Sequence, residues 1–312
     1  MRDLIGYGNR PPLVRWPGDA RVAVSFVLNF EEGAEFSVGE GDRHNESVYE
    51  VIDRQAGPDP CIESHFEYGT RVAYWRIVEL AARYGVPMTV SACGRAVERS
   101  PWLVQDAAGR GHEIAAHGYR WQTHAGMSIE EERRAIQGTV SAISQAVGRA
   151  PAGWHTRSVR TANTRRLLVE SGFLYDSDAY NDDTPYFVEV QGARHLVLPY
   201  AFDTNDMQFQ HTQRFDTGAS FATYVCDGFD WLRREGERIP RMLSIGLHLR
   251  MIGRPARMGA LERIFEHLAR SGGAWIATRE QIARHWIEHA PADAARKAEE
   301  VSRQPDAAAS GQ

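Results

Sequence analysis

Several familiar signposts are missing from these 312 residues. Cysteine is scarce: Cys61, Cys93 and Cys226 lie far apart, leave at least one thiol unpaired in a monomer and form no C-x-x-C. That argues against a disulfide scaffold or a thiolate zinc site and suits a reducing compartment. No apolar run approaches the roughly 18 residues of a membrane span, and the N-terminus carries an acid at position 3 instead of the continuous apolar core of a secretory signal. A cytoplasmic protein with no membrane partner is expected. Long basic tracts are also absent, since Lys and Arg are mixed with acids and the formal net charge is -5, so nucleic acid is not an expected partner. There is no G-x-S-x-G elbow, no H-E-x-x-H helix, no G-x-x-x-x-G-K-S/T loop and no G-x-G-x-x-G turn, which lowers serine hydrolases, zincins and nucleotide-binding folds together.

What is present is an alternation of short β-rich runs with longer helical patterns. Strands are predicted at 21–30, 86–92, 112–116, 151–156, 173–176, 195–199, 242–248 and 274–277. Helices are predicted at 67–84, 101–110, 128–147, 163–170, 219–234, 259–269 and 279–288, with Ser128 and Glu131 forming a capping box. Without a phosphate loop or switch-point signature, the order fits an irregular β/α barrel better than a doubly wound sheet. The expected organisation is one barrel over 1–290, with an N-terminal arm and an insertion around 33–66 that suits a lid, an active-site loop or an oligomer contact. A flexible tail is expected over 291–312, where Ala, Glu, Lys, Arg and Gln dominate.

The apolar runs end in chemistry. Glu31 and Glu32 close RVAVSFVLNF, with Glu35 just beyond; extended backbone sends adjacent side chains to opposite sides, and the bend at Gly33 can bring both acids to one pocket. They are either a solvated acidic loop or a site where at least one carboxylate handles water. His117 opens HGYRWQTH, seven positions before His124, and serves either as a structural hydrogen-bonding group or as a catalytic group or metal ligand. His248 ends the apolar run MLSIGLH with Arg250 two residues on; imidazole can carry a proton to a leaving nitrogen, and a guanidinium can hold a carboxylate or ureido oxygen. His155 and Arg157 in GWHTRS form another polar strand end, while Asp178, Asn181, Asp182 and Asp183 either orient those groups or solvate a loop. Acids and imidazoles at strand ends of a barrel point to a hydrolase.

Taken in order, NFEEGAE, AHGYRW, GWHTRSVRTANTRRLL, FLYDSDAYNDDTPY and GLHLRMIGRPAR resemble the polysaccharide deacetylase (NodB-homology) family over about Gly6 to His289. The resemblance is greatest to its branch of metal-independent allantoinases and related amide or cyclic-imide hydrolases. It implies a distorted seven-stranded (β/α)7 barrel, a variant of the TIM type, that hydrolyses a non-peptide C–N bond. Metal-dependent members hold a cation with an acid and two histidines that have three residues between them; here His117 is the first and the second position is Trp121, whose indole offers no lone pair. The resemblance therefore implies no metal and no other cofactor, Glu31 and His248 as the catalytic pair, and Glu32, His117, Trp121, His155, Arg157, Asp178 and Arg250 as substrate-binding residues. Its sharpest implication is allantoin opening to allantoate in purine catabolism, with a small ureide, imide or amide as partner and a homo-oligomer, a tetramer among the options, as assembly. Departures such as GAE in place of GGE, and His155 and Arg157 themselves, bear on the substrate. Three alternatives stay open: another cyclic imide, ureide or linear amide; a metal-dependent sugar deacetylase whose site is rebuilt by His124 or another residue; and a non-catalytic binding barrel.

Overall fold

The computed structural model describes residues 3–47, 56–210 and 215–291. Among them, nine strands form one sheet: β1 (Val22–Phe30), β2 (Thr89–Ala92), β3 (Glu113–Ala116), β4 (Gly153–Trp154), β5 (Tyr175–Asp176), β6 (Tyr186–Val190), β7 (Ala193–Val197), β8 (Arg241–His248) and β9 (Ala274–Ile276). Their order is β6-β7-β5-β4-β3-β2-β1-β8, with β9 paired to the start of β1. All pairings are parallel except the β6–β7 hairpin. The sheet curls into an open half-barrel with flanking helices, a distorted TIM-like barrel as expected. Among the described residues no strand joins β8 to the hairpin, and a seam stays open between them.

A period of two in β1 explains how the barrel is filled. Val22, Val24, Phe26, Leu28 and Phe30 face the helices in the main apolar core. On the other face Ser25 meets Arg279, and Asn29 meets Tyr200. Continuing this alternation sends Glu31 inward and Glu32 outward, and the same parity along β8 brings Ser244 and His248 inside. At the end of the barrel away from these strand termini, Trp16 packs with Trp275 and Trp286 and donates its indole N–H to the carbonyl of Arg241 at 2.8 Å. The N-terminal arm is therefore anchored at Trp16 and closes that end.

Several boundaries differ from the sequence reading. The helix predicted at 67–84 begins at Pro60, capped by the Asp59 carboxylate on the N–H groups of Cys61 and Ile62, and passes through a π-helical turn at Gly69–Ala73. A short helix at Gly94–Arg99 and the strand β6 were not foreseen. β6 is read from YFVEV only once its turn is known: Gln191 and Gly192 both have positive φ, the geometry of a two-residue hairpin whose usual Asn-Gly signature is missing. Residues 48–55 of the expected insertion, and all of the expected tail beyond Pro291, lie outside the described residues.

Gly153 tests the closeness of β4 and β5. A Cβ there would run into the ring of Tyr175, whose hydroxyl donates to Glu113 Oε1 at 2.7 Å inside the barrel. Gly153→Ala is expected to lose about 1–3 kcal/mol by urea denaturation, with Gly172→Ala, which meets open space but has a positive φ, as a comparison for backbone strain alone.

Candidate active site

Three strand ends converge on one carboxylate. Glu31 Oε1, wholly buried beyond β1, lies 3.3 Å from Nε2 of His117 (beyond β3) and 3.3 Å from Nε2 of His248 (end of β8). Its other oxygen is 2.8 Å from Nη1 of Arg250. That nitrogen also donates to Glu32 Oε1 at 3.4 Å. Glu32 in turn accepts the backbone N–H of Glu31 at 3.0 Å and fills the space left by Gly69, where a Cβ would collide with its carboxyl group. The π-helical turn is thus the local price of admitting Glu32 and Arg250 behind Glu31.

Each imidazole is oriented by a partner behind it. His248 Nδ1 donates to Asp206 Oδ1 at 2.6 Å, and Asp206 Oδ2 accepts the N–H groups of His248 and Ile252 at 2.8 and 3.1 Å. His117 Nδ1 donates to the carbonyl of His155 at 2.9 Å, which turns its Nε2 edge toward Glu31. His155 stacks between His117 and Tyr200, at 4.7 and 4.1 Å between ring centres, and both its nitrogens are buried without a hydrogen-bond partner among the described residues.

The electrostatics separate the acid from the base. Burial works against a charged Glu31, but the charges of His248 and Arg250, with hydrogen bonds from both histidines, outweigh it and hold the carboxyl well below the usual range. Burial also pulls His248 down; Glu31 and Asp206 overcome it and raise the imidazole to about 9. Burial lowers His155 well below the normal histidine range, helped by His117 and Arg279. At neutral pH Glu31 is therefore a carboxylate, His248 an imidazolium and His155 a neutral imidazole.

A cavity of about 230 Å³ opens over this group, lined by Glu31, His117, Trp121, His155, Arg157 and His248 among the residues singled out from sequence. Arg157 lies 3.6 Å over the Trp121 ring and bonds Glu46 and the Trp121 carbonyl, so its charge is already engaged. Glu32 and Arg250 sit behind the lining, and Asp178 is turned onto the N–H and hydroxyl of Thr156 at 2.6 and 2.7 Å. Asp206, Asn29 and Tyr200 were missed. Asn29 was readable as an inward position of β1; Asp206 lies in a segment without periodicity, 42 residues before the histidine it serves.

The residues do not fit a divalent cation. Arg250 already places a positive charge against both acids, and its π faces meet Phe66 and Trp121 at 4.3 and 4.8 Å. Trp121 takes the place of the second imidazole. His124 does not replace it, since its Nδ1 bonds Glu132 at 2.9 Å in a buried network with Thr161 and Thr164. Among the described residues no cluster of three or more His, Cys, Asp or Glu is placed to hold a metal.

Comparison with known proteins adds a lineage. The polysaccharide deacetylase family model matches residues 54–172. A putative polysaccharide deacetylase of Schizosaccharomyces pombe is 38% identical over 318 residues, covering 93% of this chain and 98% of its own. The crystal structure of a probable polysaccharide deacetylase from Pseudomonas aeruginosa is 46% identical, with TM-score 0.88 and coverage of 92% and 98%. The crystal structure of Puue allantoinase is 44% identical, with TM-score 0.87 and coverage of 92% and 97%.

These matches correct the finer assignment made from sequence. The family model, the yeast relative and the Pseudomonas structure carry the deacetylase description, so the allantoinase and cyclic-imide branch gives way to the deacetylase family at large. Allantoin opening, a role in purine catabolism and a small ureide, imide or amide partner give way with it; of the alternatives, the metal-dependent sugar deacetylase is the one these descriptions support, while the residues around Glu31 are not arranged to hold its metal. The reason is physical: Trp121 in place of a histidine determines what surrounds the carboxylates, and carries no information about which acyl group is cut. The likeness to Puue allantoinase stands as a likeness to that protein.

Removing Arg250 leaves two buried acids without their counter-charge. Arg250→Met is expected to cost about 3–5 kcal/mol in urea denaturation, and adding Glu31→Gln to that variant should recover part of the loss, as expected for directly coupled residues.

Proposed function

The chain belongs to the polysaccharide deacetylase family, and from that premise we propose that it hydrolyses the N-acyl amide of an amino sugar in a polysaccharide. The observation that carries the reading is the Glu31–His248 contact, with the acid kept ionised and the imidazole kept protonated in one buried pocket. The acyl carbonyl occupies the cavity over Glu31, and His155, neutral and with its ring nitrogens unpartnered, offers an N–H to the carbonyl oxygen. Glu31 orients water and accepts its proton as the oxygen attacks the carbonyl carbon; His248 hands its Nε2 proton to the departing nitrogen as the C–N bond breaks. The proton on Glu31 then returns to His248 across the 3.3 Å contact, leaving a carboxylic acid and a free amine. A carboxylate with so low a pKa is a weak base on its own, so the step depends on His248 giving up charge together with it. No step passes through a metal.

No helix among the described residues is long and apolar enough to cross a membrane. Cys61, Cys93 and Cys226 are all free thiols, and a cytoplasmic setting is part of the proposal on that basis.

The test is acetate release from N-acetylglucosamine oligomers. Glu31→Gln and His248→Ala are expected to lower kcat by about 10²–10⁴-fold with the fold retained by circular dichroism. A folded wild-type chain that releases no acetate, or folded variants near full activity, would sink the assignment. The pH profile is a second check. His248 must be protonated, so kcat/KM should hold through neutrality and fall as pH passes about 9. Asp206→Asn removes one of the two carboxylates that raise His248 and should move that alkaline limb toward neutral pH; an unmoved limb means that another group sets it.

A further inference from the structure

Two side-chain amides line the cavity over Glu31 with their nitrogens engaged and their oxygens unused. Asn29, 1% exposed, donates its Nδ2 to the Leu247 carbonyl at 3.0 Å and to the Tyr200 hydroxyl at 2.8 Å. A carbonyl only accepts, so the amide nitrogen and oxygen of Asn29 cannot trade places. Gln208 is held in the same way, with Nε2 on the Phe202 carbonyl at 2.7 Å. Asn29 Oδ1 and Gln208 Oε1 are both buried, and neither has a hydrogen-bond donor among the described residues. Folded chains rarely leave a buried acceptor unmet, and here two of them belong to residues of a cavity wall.

Strand register singles out Asn29. It is the Cα partner of His248 in the parallel pairing of β1 with β8, so the two side chains leave the same face of the sheet on adjacent strands. Glu31 follows two residues later on that face and lies 3.3 Å from His248 Nε2. A substrate nitrogen placed to receive the proton of His248 therefore has Asn29 on the neighbouring strand. In a secondary amide that nitrogen also carries a hydrogen of its own, and the hydrogen needs an acceptor. The imidazolium of His248 can only donate, Glu31 Oε1 already faces two imidazoles and Oε2 faces Arg250. Asn29 Oδ1 is the acceptor of this corner that stands unused.

We propose that Asn29 sets the bond selectivity of the pocket: its Oδ1 accepts the N–H of the scissile amide, so the chain cuts secondary amides in preference to esters and N-alkylated amides. The inference rests on the deacetylase reading of this pocket. As water adds to the carbonyl carbon, the nitrogen loses its conjugation and becomes pyramidal. An N–H held by Asn29 turns the new lone pair toward His248. That hydrogen stays on nitrogen throughout, His248 supplies the second as the C–N bond breaks, and the product leaves as a primary amine. An ester would set an oxygen lone pair against Oδ1, and an N-methyl amide would set a methyl group there; either leaves the acceptor unmet.

The test is acetate release by the full chain from three tetramers: N-acetylglucosamine, the same sugar methylated on its amide nitrogens, and the 2-O-acetyl ester of glucose. The unmodified chain is expected to cut the N-methylated tetramer about 10²-fold more slowly than its parent. Asn29→Leu keeps the bulk and removes the acceptor, and should lower the amide-to-ester ratio of kcat/KM by about 10–100-fold. A purely structural role would slow both substrates in parallel and leave that ratio unmoved. Asn29→Ser, shorter and polar like the inward Ser25 of the same strand, should shift the ratio in the same direction where the leucine variant does not fold. An unchanged ratio in the folded variants, or equal rates on the parent and N-methylated tetramers, overturns the proposal and leaves the deacetylase reading standing. An unmodified chain that releases no acetate from the amide removes both.

Discussion

The site depends on Arg250, a wholly buried guanidinium placed between two buried glutamates. Leaving either charge sign alone in that environment would cost several kcal/mol, and the chain balances them within one helical turn of β8. The balance has a chemical consequence. Arg250 draws on Oε2 of Glu31 and leaves Oε1 to the two imidazoles, so the oxygen that faces the cavity is the one that can exchange a proton. Asp206 adds the second negative charge beside His248 and fixes it from both backbone and side chain. Acid and base are thereby separated by environment instead of by residue type.

This balance is delivered by strand parity. β1 is long enough to set an inward face and an outward face, and two adjacent glutamates beyond its end inherit different fates: one lines the cavity, the other packs against Gly69 and Arg250. The local backbone adapts to that demand. Burying Glu32 next to Gly69 needs a residue with no Cβ, and the turn there widens from α to π, while Phe66 and Trp121 cover the guanidinium faces that have no hydrogen-bond acceptor. Trp121 therefore does more than vacate a ligand position: its ring meets the guanidinium groups of both Arg157 and Arg250.

Much of this was legible before the fold was known. The barrel followed from apolar runs alternating with capped helices, and Glu31, His117, His155 and His248 followed from their positions at the ends of those runs. What escaped was of two kinds. Short elements with little periodicity, such as β6 with its Gln191–Gly192 turn, take their conformation from the neighbours they pair with. Partners such as Asp206 and Tyr200 act from distant segments, and nothing local distinguishes Asp206 from the other acids of its loop. Asp178 shows the converse, since an acid in a promising cluster is used by Thr156 as a hydrogen-bond acceptor. The substrate was the least legible feature, because the residues singled out by sequence surround the carboxylates, whereas the walls of the cavity over Glu31 are drawn from six separate segments.

The irregularity of the barrel bears on that last point. A closed ring of strands would restrict entry to the mouth above the strand ends, which suits a small molecule that can enter whole. Here a second cavity lies beside β8, and Tyr180, Tyr200, Ala201 and Phe202 line both it and the cavity over Glu31. A polymer must leave a pocket in two directions, and a lateral opening lets neighbouring units lie alongside the one being cut. Among the described residues no strand pairs along the outer edge of β8, which is held instead by hydrogen bonds with Asp183, Thr204 and Asp206. These bonds leave the ion pairs around Glu31 untouched, so the geometry of the chemistry and the shape of the entrance are separable features of this fold.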